Sequence, residues 1–241
     1  MLDGIVPGQV IGVDEAGRGP VLGPLVVAGV ISDDQEVLRG WGVRDSKMLS
    51  PGRRDELAER IRGACDVEIV VISAATIDSL RKTMTLNEIE VDAFHQAITG
   101  ILGRNRSEND ENQKKPPTII LDAADVKEDR FGTDIHGKLM TSFGANYSIP
   151  PIISKHRADD IFPVVSAASI IAKTHRDEVI EALKTEYGDI GSGYPSDPKT
   201  KKYLIWLFKS GKPTPPFVRQ SWETVKRLKR DASTTKLEDF F

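Results

Sequence analysis

The chain has 241 residues, of which 39% are hydrophobic and 29% are charged, and its formal net charge is −3. This composition is typical of a globular protein with a sizeable core, and the net charge by itself argues weakly against a nucleic-acid partner. The single cysteine, Cys65, excludes an internal disulfide and a zinc site built from several cysteines, so we expect a reducing, cytoplasmic compartment.

No feature predicts a targeting or membrane segment. The N-terminal residues lack the charged start and apolar run that are typical of a signal peptide. The longest apolar stretch, 162–172, is interrupted by Ser166 and Ser169 and is too short to span a bilayer. We therefore expect no membrane partner, and a monomer is the default expectation.

The N-terminal part of the chain predicts a β-hairpin followed by a helix. Two apolar runs, 9–13 and 25–31, flank a turn rich in glycine and proline, which is typical of a hairpin. Ser50 and Pro51 are typical of a helix cap and a first helical residue, so we expect a helix that ends near Gly63.

The rest of the body alternates between predicted strands and helices. We expect a buried strand over 67–72 and further strands over 118–121 and 152–154. We also expect a helix capped by Thr85 over 86–102, a long helix over 162–187, and basic helices over 199–210 and 220–230. This alternation predicts an α/β fold, and the opening hairpin makes the central sheet mixed rather than purely parallel.

Three regions differ in composition from the body. Residues 103–117 are polar and charged, which predicts a flexible surface insertion. The segment 199–230 carries ten Lys or Arg and one acidic residue, Glu223, so it either contacts phosphate or is an ordinary solvated helix face. We expect a catalytic domain over 1–187, a basic helical segment over 188–230 and a flexible tail over 231–241.

Four acidic residues lie beside predicted element ends. Asp14 and Glu15 follow the first apolar run, Asp122 follows a later strand, and Asp159 precedes the long helix. The carboxyl ends of strands form the edge of an α/β sheet where ligands usually bind. Because adjacent strand residues point to opposite faces, Asp14 and Glu15 share a face only if the strand ends or bends there. Taken alone, each acid is better explained as a helix cap or a turn residue.

Clustered carboxylates stay ionised at neutral pH only beside cations. Mg²⁺ and Mn²⁺ prefer oxygen ligands, and the chain has no histidine–cysteine grouping suited to zinc. Two such ions roughly 3.5–4 Å apart stabilise the attacking and leaving oxygens of phosphodiester hydrolysis. If the acids converge, the sequence therefore predicts a divalent-metal site.

A glycine-rich turn follows the first two acids. Gly17 and Gly19 would let the backbone approach a phosphate or a sugar closely. The turn is not the dinucleotide-binding motif, because Pro20 and a strand follow where that motif has a helix.

Residues 12–24, Gly-Val-Asp-Glu-Ala-Gly-Arg-Gly-Pro-Val-Leu-Gly-Pro, closely resemble the signature of type 2 ribonuclease H (RNase HII). Further matching blocks follow in the same order as in that family. They are 45–47 (Asp-Ser-Lys), 121–123 (Leu-Asp-Ala), 156–159 (His-Arg-Ala-Asp), 166–173 (Ser-Ala-Ala-Ser-Ile-Ile-Ala-Lys) and 191–197 (Gly-Ser-Gly-Tyr-Pro-Ser-Asp). The chain is most similar in style to the archaeal branch.

The resemblance implies an RNase H-like fold with a mixed sheet and a C-terminal helical segment. It also implies that Asp14, Glu15, Asp122 and Asp159 hold two divalent ions, Mg²⁺ or Mn²⁺, and hydrolyse the RNA strand of RNA–DNA hybrids. Such enzymes also cut 5′ of single ribonucleotides embedded in duplex DNA, leaving 5′-phosphate and 3′-hydroxyl ends.

The same resemblance implies a set of substrate contacts: Gly17, Arg18, Gly19, Lys47, Lys173 and Tyr194. The glycine-rich turn would contact the 2′-hydroxyl that distinguishes RNA from DNA, and the tyrosine ring would stack on the sugar at the RNA-to-DNA junction. From the residues alone, Tyr194 is better explained as a packed loop anchor, whereas Lys47 is equally well explained as an ordinary surface lysine.

The C-terminal residues Leu237, Phe240 and Phe241 resemble the peptide by which replication proteins bind the sliding clamp (PCNA). Exposed apolar residues on a tail usually need a partner. Thr234 stands where such peptides carry glutamine, and the alternative is that the aromatic tip folds back on the body.

Two other functions are compatible with parts of the pattern. Proofreading exonucleases also use two metals, but they carry Asp-x-Glu, whereas Asp14 and Glu15 are adjacent. A non-catalytic hybrid-binding factor would gain nothing from clustered negative charge near phosphate. The sequence therefore favours a hybrid-cutting endonuclease.

Overall fold

A computed structural model describes residues 5–43, 49–105 and 116–238, with side chains described up to Ser233. The strands are β1 (Val10–Ala16), β2 (Leu25–Ser32), β3 (Asp66–Ile72), β4 (Thr118–Asp122) and β5 (Ile152–Lys155). The helices are α1 (Gln35–Gly40), α2 (Pro51–Ala64), α3 (Ala74–Leu80), α4 (Leu86–Arg104), α5 (Glu128–Phe143), α6 (Ala158–Ile161), α7 (Pro163–Tyr187), α8 (Pro198–Ser210) and α9 (Glu223–Glu238). Among these, no helix is both long and apolar enough to cross a bilayer.

The strands form one mixed sheet in the order β3-β2-β1-β4-β5. β1 and β2 pair antiparallel, as the predicted hairpin requires, and β1–β4 and β4–β5 pair parallel. The mixed α/β sheet is therefore confirmed. Because β1 and β4 are parallel neighbours, their carboxyl ends lie at the same edge of the sheet.

The chain divides into two compact units. The first unit comprises Met1–Ala16, Val26–Val70 and Leu86–Thr174, and the second comprises Gly17–Leu25, Val71–Thr85 and His175–Phe241.

In the first unit, β1 lies against the start of α7. A Cβ atom at Gly12 would lie 2.5 Å from the carbonyl carbon of Val164 and 2.6 Å from the nitrogen of Val165, so only glycine permits this approach. Val13 and the apolar residues of α7 around Ile170 are fully buried. This close packing holds the start of α7 against β1.

The second unit has a separate apolar core. Val21, Leu22 and Ile190 pack there with residues of α8 and the segment that precedes α9. The backbone N–H groups of Val21 and Leu22 both donate to the carbonyl of Gly193, at 2.8 and 3.2 Å. These hydrogen bonds hold the glycine-rich turn after β1 against the loop that contains Gly193.

The structure differs from the sequence-based predictions at β3, α5 and the tail, and the short helices α1, α3 and α6 were also not predicted. β3 was expected to be buried, but it is largely half-exposed because it is the edge strand of the sheet. The prediction left 123–151 without an element, although α5 buries Phe131, Ile135 and Leu139 at helical spacing; glycines within the helix weaken its signal. The predicted flexible tail is helical to Glu238, because neither Gly nor Pro interrupts α9.

Candidate active site

Three of the four predicted acids converge. Asp14 lies near the end of β1, Asp122 is the last residue of β4, and Asp159 lies in the short helix α6. One carboxylate oxygen from each lies within 4.8 Å of the other two. Asp14 and Asp159 are buried and Asp122 is partly buried, so the cluster is shielded from most solvent.

The environment of Asp14 favours its protonated form in the absence of cations. Burial, followed by the nearby charge of Asp122, raises the pKa of Asp14 from 3.8 to about 7. A hydrogen bond from Ser169 and the charge of Lys173 oppose that shift, and the charge of Asp159 adds to it. A divalent cation would supply the positive charge that ionised Asp14 requires.

The part of α7 in the first unit supplies the polar groups beside Asp14. Ser169 and Lys173 are four residues apart on one helix face, and the Lys173 Nζ donates to the Ser169 Oγ at 2.7 Å. Since Ser169 also hydrogen-bonds Asp14, the lysine, hydroxyl and carboxylate form a short chain of hydrogen bonds. Lys173, predicted as a phosphate contact, thus lies beside an acid; its contact with substrate stays a prediction.

Backbone contacts orient the other two acids. The Asp122 Oδ1 accepts a hydrogen bond from the Ala158 N–H at 3.1 Å, which links the end of β4 to the start of α6. The Ser166 hydroxyl donates to the carbonyls of Asp159 and Phe162. Arg157 adopts the left-handed region at φ 56°, an uncommon conformation for a residue with a side chain, as the backbone turns into α6.

Glu15 is not part of the convergent group. β1 continues through Ala16, with Asp14 paired to Ala28 and Glu15 to Val27 in regular register. The Glu15 side chain is partly buried, and its role as a fourth ligand stays a prediction. Among the described residues, the group of mutually close ligand atoms contains the three aspartates.

The donor set fits a hard divalent cation. Three carboxylate oxygens lie within the span that one or two ions could bridge, and the charge that these acids would carry is largely buried. Oxygen-only ligands of this kind suit Mg²⁺ or Mn²⁺.

In the second unit, a buried arginine holds the glycine-rich turn. The Arg219 guanidinium is fully buried and donates to the carbonyls of Gly23 at 3.0 Å, Arg18 at 3.2 Å and Gly17 at 2.6 Å. The central carbon of the guanidinium, Cζ, lies 4.9 Å from the ring centroid of Trp222. These bonds join the Arg219 side chain to backbone carbonyls about 200 residues away in sequence and fix the peptide planes of the turn.

A second buried arginine contacts both the turn and the loop that carries Tyr194. Arg176 donates to the carbonyl of Ser192 at 3.2 Å, and its guanidinium lies 5.1 Å from the Tyr194 ring centroid. Burial lowers the pKa of Arg176. A Cβ atom at Gly17, which has φ +94°, would lie 2.9 Å from the Arg176 side chain and 2.4 Å from the Pro24 carbonyl. No larger residue fits at this position of the turn.

Comparison with known proteins identifies the family of this arrangement. The model of the family Ribonuclease HII matches residues 11–225. The chain belongs to the ribonuclease HII family.

The ribonuclease HII of Pyrococcus furiosus is 46% identical over 237 residues, which cover 95% of this chain and 97% of that protein. The solved ribonuclease H2 of Pyrococcus horikoshii is 39% identical, with a TM-score of 0.78 and coverage of 93% and 99%. The ribonuclease HII of Archaeoglobus fulgidus, solved in complex with PCNA, has a TM-score of 0.77 at 39% identity and coverage of 90% and 95%.

These matches confirm the predicted family and its RNase H-like fold. As a member of the ribonuclease HII family, the chain is a ribonuclease H, a hydrolase.

Several predicted residues of this family member lie outside the described part of the chain. Lys47 falls within 44–48, most of the predicted insertion falls within 106–115, and Phe240 and Phe241 follow Glu238. Leu237 lies in the backbone of α9, but its side chain is also outside the described residues. Tyr194 is described and is 42% exposed, so its ring is accessible.

Sequence reasoning missed three contributors: Ser169, Arg176 and Arg219. The first had a detectable signal, since Ser166, Ser169 and Lys173 follow helical spacing and therefore share a face of α7. The arginines had none, because arginines are usually solvated and only the fold shows that these two are buried.

Proposed function

We propose that this ribonuclease HII family member hydrolyses the RNA strand of RNA–DNA hybrids. We extend the proposal to cutting 5′ of single ribonucleotides within duplex DNA, with 5′-phosphate and 3′-hydroxyl products. The observation that carries it is the convergence of Asp14, Asp122 and Asp159 at one sheet edge in a chain that matches the family over 11–225.

Asp14, Asp122 and Asp159 would hold the metal, with Glu15 retained as a fourth carboxylate on the strength of the sequence signature. Two bound Mg²⁺ or Mn²⁺ ions would supply charge stabilisation to the attacking and leaving oxygens of the phosphodiester. Ser169 hydrogen-bonds Asp14, and Lys173 donates to Ser169, so both hold that carboxylate in place.

Residues of the second unit would contact the sugar of the ribonucleotide. Arg219 fixes the carbonyls of Gly17 and Arg18, which leaves the backbone of the turn preorganised before substrate binds. Gly17, Arg18 and Gly19 would contact the 2′-hydroxyl and the neighbouring backbone. The accessible ring of Tyr194 would stack on the sugar of the junction, and Lys47 would contact phosphate.

The test is cleavage of a labelled DNA–RNA–DNA duplex, with the cut positions mapped and the ends identified. We expect Mg²⁺- or Mn²⁺-dependent cutting within the RNA segment, and a cut 5′ of a single ribonucleotide. An all-DNA duplex of the same sequence is the substrate control, and it should remain intact. Cutting of the all-DNA duplex, or stepwise digestion from an end, would contradict the proposal.

A second proposal concerns the C-terminal residues Leu237, Phe240 and Phe241. The A. fulgidus relative was solved with PCNA, and the C-terminal sequence of this chain resembles a clamp-binding peptide. We expect deletion of 234–241 to remove clamp binding in calorimetry and to leave cleavage of short substrates unchanged. Replacing both phenylalanines by alanine in the full-length chain is the finer version. Unchanged clamp affinity in both variants would exclude this peptide as the docking site.

A further inference from the structure

The second unit contains an open groove of about 600 Å³ that is distinct from the glycine-rich turn. Its walls are α3, the turn that follows α3, and the segment from Pro216 into α9. Its charged or hydrogen-bonding side chains include those of Asp78, Arg81, Lys82, Ser221 and Lys226.

One wall of the groove is fastened by a carboxylate. Asp78 accepts hydrogen bonds from the N–H of Gln220 at 2.7 Å and the N–H of Ser221 at 2.9 Å. The Ser221 hydroxyl donates to the same carboxylate at 2.5 Å. These bonds join segments more than 140 residues apart in sequence. The groove therefore forms only when the chain folds. The Asp78 carboxylate is therefore already hydrogen-bonded to donors of the protein itself.

Among the charged side chains that the structure describes in the lining, cations outnumber acids three to one. Arg81, Lys82 and Lys226 are exposed, and among the described lining residues they face one acidic side chain, Asp78. Arg81 donates to the Met84 carbonyl at 3.3 Å, which bends it along the turn, and Lys226 lies 3.9 Å from Glu223. A concave surface with this excess of positive charge attracts anions, and low-dielectric walls strengthen that attraction.

We propose that this groove of the second unit binds the phosphodiester backbone of the duplex. The inference rests on the proposed function for the identity of the duplex. Arg and Lys on a pre-formed surface are the usual partners of phosphate oxygens, and such contacts fix the register of a protein on its duplex without reading sequence. The groove thus gives the enzyme affinity that is independent of the base sequence.

The experiment removes the groove's positive charge in the full-length chain. The variant Arg81→Gln/Lys82→Gln/Lys226→Gln is compared with Arg53→Gln/Arg62→Gln/Lys138→Gln, which removes the same charge from exposed ion pairs of the first unit. Binding of a short RNA–DNA hybrid is measured across a salt titration in chelator, and KM and kcat are measured with Mg²⁺. Circular dichroism checks that both variants fold.

We expect the groove variant to raise Kd and KM by about tenfold, uniformly across base sequences, with kcat nearly unchanged. The slope of log affinity against log salt should fall by about 0.9 for each phosphate that the groove no longer neutralises, up to about 3 for all three cations. Arg81→Lys should retain most of the affinity. The control variant should match the wild-type chain.

Each of the following outcomes would exclude the groove as a duplex-binding site, the proposed function, or both. Normal cleavage by the wild-type chain with no difference between the groove and control variants would exclude the groove and leave the proposed function intact. Groove-dependent hybrid binding without any cleavage would exclude the proposed function and support the groove. Equally tight, groove-dependent binding of a polyglutamate peptide would assign the site to an acidic protein instead, and no duplex binding at all would exclude both.

Discussion

The two units hold their candidate functional groups by opposite electrostatic means. In the first unit, Asp14, Asp122 and Asp159 place like charges together in a largely buried site. In the second unit, buried Arg219 meets three backbone carbonyls. The first arrangement needs a cation from outside to become stable in its charged form, whereas the second is complete within the protein. Metal binding should therefore change the stability of the acid cluster but not that of the glycine-rich turn.

The largest expected structural effect comes from breaking the second arrangement. Arg219→Met would leave the buried carbonyls of Gly17, Arg18 and Gly23 without their donor, at a cost of roughly 3 kcal/mol or more in unfolding free energy. The measurement is chemical denaturation with and without Mg²⁺. The destabilisation should be the same in both conditions, because the turn does not depend on metal.

Arg219→Lys sharpens that test through activity. Lysine keeps the charge but cannot reproduce the fork of the guanidinium. We expect cutting at a single embedded ribonucleotide to fall more than cutting of a long hybrid, because in the proposed function the turn contacts the 2′-hydroxyl of the scissile ribonucleotide. Equal loss on both substrates would indicate a general folding defect.

The first arrangement predicts a pH-dependent penalty in metal-free protein. Because the pKa of Asp14 is raised from 3.8 to about 7, the folded chain holds this proton more tightly than the unfolded chain. The contribution of Asp14 is thus most favourable below pH 3.8, and stability is lost as the pH rises through about 7. In chelator at pH 8, Asp14→Asn should unfold at a Tm about 5 °C above the wild-type value.

That difference should shrink as the pH is lowered to 5, where wild-type Asp14 is already protonated. Added Mn²⁺ should stabilise the wild-type chain and not the variant. A variant less stable than wild type in chelator at pH 8 would show that burial and the neighbouring acids do not destabilise ionised Asp14.

The smallest effect is expected at Tyr194, whose ring is accessible and lies over Arg176. Tyr194→Phe should keep most of the activity, because the stacking face of the ring is retained. Tyr194→Ala should selectively lose junction cutting, by roughly 1–3 kcal/mol of stacking. Equal effects of the two substitutions in a cleavage assay on a single-ribonucleotide duplex would argue against stacking.

The sequence predicted the elements whose signals are local. The hairpin of β1 and β2, the Ser50-capped helix α2 and the long helix α7 follow from apolar spacing, caps and turn residues. It also indicated which acids end strands. It could not show that Asp14, Asp122 and Asp159 meet within 4.8 Å, because that depends on β1 and β4 being parallel neighbours.

The contacts that the sequence did not predict join distant parts of the chain. Arg219 lies about 200 residues from the turn it holds, and Asp78 about 140 from the backbone it binds. No local periodicity or motif encodes such a pairing. Glu15 follows Asp14 directly in β1 and is not among the three mutually close aspartates, so its role as a fourth carboxylate stays a prediction from the motif.

Metal binding tests the central claim most directly. Titration calorimetry of the full-length chain with Mn²⁺ at pH 8, before and after Asp14→Asn, requires no substrate. We expect saturable binding by the wild-type chain and a loss of at least about tenfold in affinity in the variant, because a carboxylate of the convergent group is removed. Equal Mn²⁺ affinity in the two proteins would contradict the account.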